Sequence, residues 1–539
     1  MEPLYARLAG ALETQIRSGA LQIGDRVASV RALSREQGVS VATVLQAIAR
    51  LESQGFVEAR PRSGYYVRTP FADLVGEPLA GPSGARPRRV GIGAIIAAAI
   101  AAASDPAKVP LAAACPDPRL LPAAALNRAL RRAMRDTPLH STAYAFPPGL
   151  PALRRQIARR SLLLGCNLPP GEIVVTAGAM EAINVALRAV AKPGDVVALE
   201  SPTYFGILQA VESMGMKAAE ISTHPRTGLD LDRLESVIVR HKARAIVTMT
   251  NCHNPLGTIV EDDAKKSLVD LATRHRVPLI EDDIYGDLAF DAPRPRTAKS
   301  FDSEELVLLC SSFSKTLAPG FRIGWIHAGR YQAEVERLLF IHTVAAPSLP
   351  QHAVAAFLAS GAYERSLKRL RAAFRDQVRL TGRALAEHLP AGTRITRPAG
   401  GYVLWVELPE RFDAGALARR ALDAGIAAAR VGAPINRIGQ AIDDVLAPKG
   451  CRAIADLPGH GVGRRLHEEP SIPQTFDRRA TQPLTEGLVI TIEPHITRGA
   501  GRIREGTDGW TLSTRDAKAV ALFEHTIVVR RDGPLIITA

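Results

Sequence analysis

Ser311-Ser312-Phe313-Ser314-Lys315-Thr316-Leu317-Ala318-Pro319-Gly320-Phe321-Arg322-Ile323-Gly324-Trp325 is the stretch that decides how this chain folds. It follows a short apolar run, Leu306 to Leu309, that reads as a buried strand, so Lys315 falls just beyond a strand end. Hydroxyls at Ser312 and Ser314 precede the amine, and the Arg322 guanidinium follows it. An amine so placed suits condensation with a carbonyl, and the hydroxyls and guanidinium suit a phosphate.

Upstream, further β-like runs alternate with helical stretches: Ile173–Thr176, Asp195–Leu199, Lys217–Ile221, Ala245–Met249 and Pro278–Glu281. Alternation at this spacing predicts a mostly parallel α/β sheet, whose ligands sit beyond the C-terminal ends of the strands. Every other candidate residue falls there. Gly178, Ala179 and Met180 follow the first strand and open a helix, where backbone N–H groups and the helix dipole suit a phosphate. Tyr204 offers a ring for stacking on a flat heterocycle. In Asn254-Pro255-Leu256-Gly257 the Asn254 amide can donate to a phenolic oxygen, and Asp282 precedes Tyr285 by three residues. A carboxylate beside a ring nitrogen keeps that nitrogen protonated, so the ring accepts electrons.

This order of motifs resembles the fold-type I, class I and II aminotransferases that use pyridoxal 5'-phosphate (PLP), over Leu111 to Ala428. The resemblance implies that Lys315 is the catalytic lysine and holds PLP covalently. It implies Asp282 at the ring nitrogen, Tyr285 and Asn254 at the ring hydroxyl, and Tyr204 stacked on the ring. Gly178, Ala179, Met180, Ser312 and Arg322, with Ser314 in support, would cradle the phosphate.

Ahead of this body, Leu4, Leu8, Leu12 and Ile16 mark one face of a helix. Ser29 is placed to cap a second helix and Ser40 a third, with Val41, Val44, Leu45, Ile48 and Leu51 inward and Thr43, Gln46 and Arg50 outward. Phe56–Arg60 and Tyr65–Val67, joined by the basic turn Pro61-Arg62-Ser63-Gly64, make a β-wing. Three small helices and a wing predict a winged helix-turn-helix that places its third helix in the DNA major groove. The segment resembles the GntR family, with Ala28 where members usually carry proline. That resemblance implies phosphate contacts from Ser29, Arg31 and Arg62, and base reading by Ser40, Thr43 and Gln46. Thr69–Val109 reads as a Pro-, Gly- and Ala-rich linker that carries an Ala-rich helix and a solvated basic cluster, Arg86-Pro87-Arg88-Arg89.

Beyond Pro398–Val406 the aminotransferase pattern stops after the helical run Ala414–Ala428, short of the strand that brings the family's carboxylate-gripping arginine. The chain instead reads Gly459-His460-Gly461-Val462-Gly463-Arg464-Arg465-Leu466-His467-Glu468-Glu469-Pro470, then Thr491-Ile492-Glu493-Pro494, then Phe523-Glu524-His525-Thr526. One His and two Glu on separate strands offer N and O ligands to a divalent metal. From Arg430 onward the chain resembles the C-terminal half of type I methionine aminopeptidases, which implies an α+β half of a pita-bread fold with His467, Glu493 and Glu524 as ligands. The family's two aspartate ligands belong to the missing half, Gln474 stands where a second histidine is expected, and Leu522 replaces a usual glutamine. Without bridging aspartates a two-metal site does not assemble, so the expectation is a half-domain with neither metal nor peptidase activity.

The chain has 539 residues, a hydrophobic fraction of 46% and a net charge of +14, a multidomain globular composition that permits polyanion binding. Five cysteines (115, 166, 252, 310 and 451) are scattered with no Cys-x-x-Cys pair, which argues against a disulfide scaffold and fits a reducing cytoplasm. No secretory signal or bilayer-length apolar run is expected. The expected organisation is a winged helix-turn-helix over 1–70, a linker over 71–109, an aminotransferase-like domain with a truncated small subdomain over 110–428, and a partial peptidase-like domain over 429–539. A GntR reader joined to this fold resembles the MocR class of regulators. That implies a homodimer that binds operator DNA and senses PLP, an amino acid or an amine. An aminotransferase with an accessory DNA domain, a metalloaminopeptidase, and an unstable fusion with two exposed half-cores stand as alternatives.

Overall fold

The N-terminal helices form where their caps predict. Helix α1 spans Leu4–Arg17, α2 Val30–Glu36 and α3 Val41–Gln54. The Ser29 hydroxyl accepts from the Ala32 N–H at 3.2 Å, and the Ser40 hydroxyl from the Thr43 N–H at 3.1 Å, each satisfying a donor orphaned at a helix start. Strands β1 (Val57–Arg60) and β2 (Gly64–Val67) pair as the wing. One expectation is corrected here: Val41 and Leu45 are each 46% exposed, while Ala47 joins Val44, Ile48 and Leu51 in the core. The buried arc is centred on 44, 47, 48 and 51, and a 100° step past Val44 carries Leu45, with Val41 one turn before it, onto the outer face. The computed structural model describes residues 3–60, 63–81, 86–93, 96–97, 100–101, 114–138, 142–291, 293–409, 414–506, 512–516 and 518–538.

Among these residues, the strands downstream are β3 (Arg88–Arg89), β4 (Ile173–Thr176), β5 (Val196–Ser201), β6 (Lys217–His224), β7 (Gly228–Leu229), β8 (Ala245–Thr248), β9 (Leu279–Asp282), β10 (Val307–Ser312) and β11 (Gly324–His327). They form one sheet in the order β3-β6-β5-β8-β9-β10-β11-β4, with β7 beside β6. The β6-β5-β8-β9-β10 run is parallel, and β11 returns antiparallel between β10 and β4. Each strand expected from the sequence is present; β11, hidden inside the Lys315 motif, was not anticipated. The residues of β10 are all buried because helices cover both faces of the sheet. Val307 faces one apolar cluster with Ile246 and Leu279, and Leu308 faces the opposite one with Val197 and Ile280. In the linker's basic cluster the Arg88 and Arg89 side chains are exposed, while their backbone adds an edge strand to β6 and Arg88 pairs with Glu220. An open sheet edge offers unpaired backbone groups that such a segment can satisfy. Of the Ala-rich run over 90–103, residues 94–95, 98–99 and 102–103 lie outside the described residues.

The chain divides into two units, Met1–Leu408 and Pro409–Ala539. In the second, helices Ala414–Ala428 and Asn436–Leu446 share a core with a five-stranded sheet. Helix Ala414–Ala428, read from sequence with the aminotransferase-like body, thus packs with the C-terminal unit. Ile438, Ile442, Leu446, Ile490, Ile492 and Ile527 are all shut from solvent, so this half-fold closes over its own core. Among the described residues no helix is long and apolar enough to cross a membrane.

Candidate functional site

Strand ends bring the candidate residues together. Lys315 lies in the turn after β10, and its Nζ donates to the Ala114 carbonyl at 2.9 Å. The Tyr402 hydroxyl donates to the same carbonyl, also at 2.9 Å. Lys315 Nζ stands 5.8 Å from the centre of the Tyr285 ring, and Tyr402 meets that ring edge-on. Burial lowers the Lys315 amine from its usual range, opposed by Cys115 and Asp282. Asp282 ends β9, is only 3% exposed, and accepts from the Ile284 N–H at 3.1 Å. Burial pushes its carboxyl up to about 7, against the Ile284 hydrogen bond and the Lys315 charge. A carboxylate in that state is short of a cationic partner.

A second group of residues gathers as a candidate anion cradle. Gly178, at φ +103°, precedes helix Ala179–Val190, and a Cβ there would collide with the Arg322 guanidinium. A Cβ on Gly324 would collide with the Gly178 backbone. Arg322, itself left-handed at φ +53°, donates through Nη2 to the Ala177 carbonyl at 2.7 Å and lies 3.4 Å from the Ser314 hydroxyl. The Ser312 and Ser314 hydroxyls are 2.8 Å apart. The first turn of a helix, a guanidinium and two hydroxyls thus lie close together, with the Ser312 hydroxyl also donating to the Ile323 carbonyl at 2.9 Å. Tyr204 caps the next helix with its ring folded over Gly206, and burial, reinforced by the Asp282 charge, raises its hydroxyl. Asn254 is half-buried; its N–H donates to Met249 Sδ at 3.0 Å.

On the N-terminal module, Ser29, Arg31, Ser40 and Gln46 are exposed and Thr43 is partly so. The Ser40 and Thr43 hydroxyls are 2.8 Å apart. Arg62 lies outside the described residues. In the C-terminal unit, His467 and Glu524 are exposed and Glu493 is half-buried. The His467 ring packs at a tilt against His460 with centroids 4.2 Å apart, and Glu493 accepts from the Thr491 hydroxyl at 2.9 Å. Gln474 is buried and committed to backbone: it donates to the Ile472 carbonyl and accepts from the Glu493 N–H. Among the described residues no three His, Cys, Asp or Glu side chains gather as a metal site.

Comparison with known proteins places the chain among families. The model of aminotransferase class I and II covers residues 118–437, and that of the bacterial gntR regulatory family residues 4–67. The HTH-type transcriptional regulator YdcR of Escherichia coli (strain K12) is 42% identical over 78% of this chain and 89% of its own length. The chain belongs to the aminotransferase class I and II family, in its GntR-fused, MocR-type branch. A second regulator of the same bacterium, YjiR, is 39% identical over 77% of this MocR-type chain and 88% of its own. The α-aminoadipate aminotransferase LysN of Thermus thermophilus, solved with N-(5'-phosphopyridoxyl)-L-leucine, is 28% identical with a TM-score of 0.53, over 58% of this chain and 80% of that one. Metallopeptidase family M24 matches residues 403–531, so both family models claim helix Ala414–Ala428.

The MocR-type family implies PLP, and the residues present fit it. Asp282 is a buried carboxylate short of a cation, and only glycine at 178 and 324 keeps the cradle beside Arg322 clear. Reasoning from sequence missed Ala114, Cys115 and Tyr402. Cys115 is exposed and follows Ala114 directly in the chain. Tyr402 had a signal in Gly400-Gly401-Tyr402; the alanine-rich surroundings of Ala114 and Cys115 carried none.

Proposed function

We propose that this chain is a transcriptional regulator of the MocR type that binds operator DNA through its N-terminal module and holds PLP on Lys315 to sense PLP or an amino compound. The observation that carries the reading is the meeting of Lys315, Asp282 and the Arg322 cradle at one end of the sheet, in a chain whose first domain is a winged helix. Bound PLP supplies an electron sink. Lys315, its amine lowered by burial, gives up its proton more readily than a free lysine, which suits attack on a carbonyl, while Ala114 fixes its Nζ. Asp282 holds a proton at the ring nitrogen, Tyr285 and Asn254 bind the ring oxygen, and Tyr204 stacks. Gly178, Ala179, Met180, Ser312, Ser314 and Arg322 hold the phosphate. On DNA, Ser29, Arg31 and Arg62 position the backbone and Ser40, Thr43 and Gln46 read bases. The regulator acts as a cytoplasmic homodimer, and its C-terminal unit has no peptidase activity.

The purified protein is expected to show a visible absorbance band of bound PLP and to retard its own promoter DNA, and Lys315→Ala is expected to lose the band. Absence of both band and retardation overturns the reading. The intact Lys315–Asp282 pair also favours a second reading, transamination. Amino acids that convert the bound cofactor to its amine form, read as loss of the band, would establish it.

A further inference from the structure

At the end of the sheet opposite Lys315, the turns leading into β5, β8 and β9 surround a cleft of about 800 Å³. Arg188, Lys192, Lys242, Arg244 and Arg276 line it, against one carboxylate, Asp195. The five cations are exposed, and none has an ion-pair partner among the described residues. Asp195 is engaged by the Lys192 N–H at 2.8 Å, and Glu235 nearby is already paired with Arg274 and His275.

Helices Ala179–Val190, Leu231–His241 and Asp262–Arg274 end at this cleft, and cations commonly offset such ends. Three helix ends, each worth about half a negative charge, together with Asp195 amount to roughly −2.5, half of what the five cations carry. The surplus leaves the cleft with a positive field that attracts an anion. Lys242 and Arg276 both take left-handed backbone, φ +54°, at positions where glycine is favoured. Such strain is tolerated where the side chain has a use. The floor includes apolar side chains, Val190, Ile238 and Val277 with the Tyr331 ring beside them, in a lining that is polar over most of its exposed surface. A bare phosphate or a DNA backbone would need only the cationic rim. A floor of this kind, at a volume typical of ligand pockets, suits a ring carried by the anion.

We propose that this cleft binds a small, multiply charged organic phosphate of the nucleotide class. Strand β5 begins at the cleft and ends at Ser201, six residues and about 20 Å away, so the site is separate from Lys315. The test is calorimetric titration of the full-length protein with ATP, inorganic triphosphate and a non-specific DNA duplex at fixed salt. Expected are one ATP per chain, binding at least tenfold weaker in Lys242→Ser/Arg276→Ser, and an unchanged absorbance at the Lys315 site. Arg244→Ser repeats the test should the double variant misfold. Triphosphate binding as tightly as ATP would show the floor unused and overturn the nucleotide class. ATP affinity unaffected by the substitutions would overturn the site. Duplex binding weakened by them, with no ATP binding, would overturn the proposal in favour of a DNA-backbone patch.

Discussion

Asp282 ties stability to pH at the residue scale. Its folded carboxyl titrates at about 7, against 3.8 for a free aspartate. The folded chain therefore binds this proton more tightly than the unfolded chain. The cost of burying Asp282 is absent below pH 4, grows between about pH 4 and 7 as the unfolded chain gives up its proton, and is constant above. Cofactor-free Asp282→Asn is thus expected to exceed the cofactor-free wild type in stability at pH 8 by up to a few kcal/mol, with the gain vanishing towards pH 4. Urea unfolding at the two pH values reads this, and an equal gain at both would show that Asp282 does not titrate between them. Gly324 gives a second test. Its missing Cβ would strike the Gly178 backbone, so Gly324→Ala is expected to cost about 1–3 kcal/mol and to release PLP on dialysis. Lys315, Asp282 and Arg322 were legible in sequence because each stands in a short motif at a strand end. Ala114 was not, since it lies 201 residues from the lysine it holds.

Among the elements, helix Ala362–His388 links the two proposed functions. Its 27 residues span about 40 Å. Phe374 on this helix packs on Tyr402 at 4.6 Å between ring centres, and Tyr402 shares the Ala114 carbonyl with Lys315. Further along, the helix packs against α3, where Arg379 lies beside Gly55, the residue that caps α3. A change at Lys315 that moves Tyr402 therefore has a rigid body through which to reach the DNA reader. Phe374→Leu is expected to keep both the cofactor band and DNA retardation, while shrinking the change in DNA affinity on adding PLP; a full-sized change would remove the helix from the coupling. The strands were legible from their apolar runs. The β11 strand was not, because Gly324–His327 begins inside a motif read for its chemistry. Helix Ala414–Ala428 was legible as a helix, but an apolar face does not say which core will bury it.

For the whole molecule, two units with separate cores imply two unfolding steps. Scanning calorimetry is expected to resolve two transitions, of which only the one belonging to Met1–Leu408 rises with added PLP, as mass action requires of a ligand that binds one folded unit. A single transition that rises as a whole would mean that the units unfold together. The sequence by itself determined the order of modules, the helix caps, the parallel strands and the types of residue that suit PLP, because each rests on neighbours within a few positions. Only the tertiary structure decided the titration of Asp282, the seat of Lys315 on Ala114, the core that takes helix Ala414–Ala428 and the cationic cleft behind the sheet. Burial and electrostatic fields depend on distances in space, and the fold alone brings residues hundreds of positions apart to within a hydrogen bond.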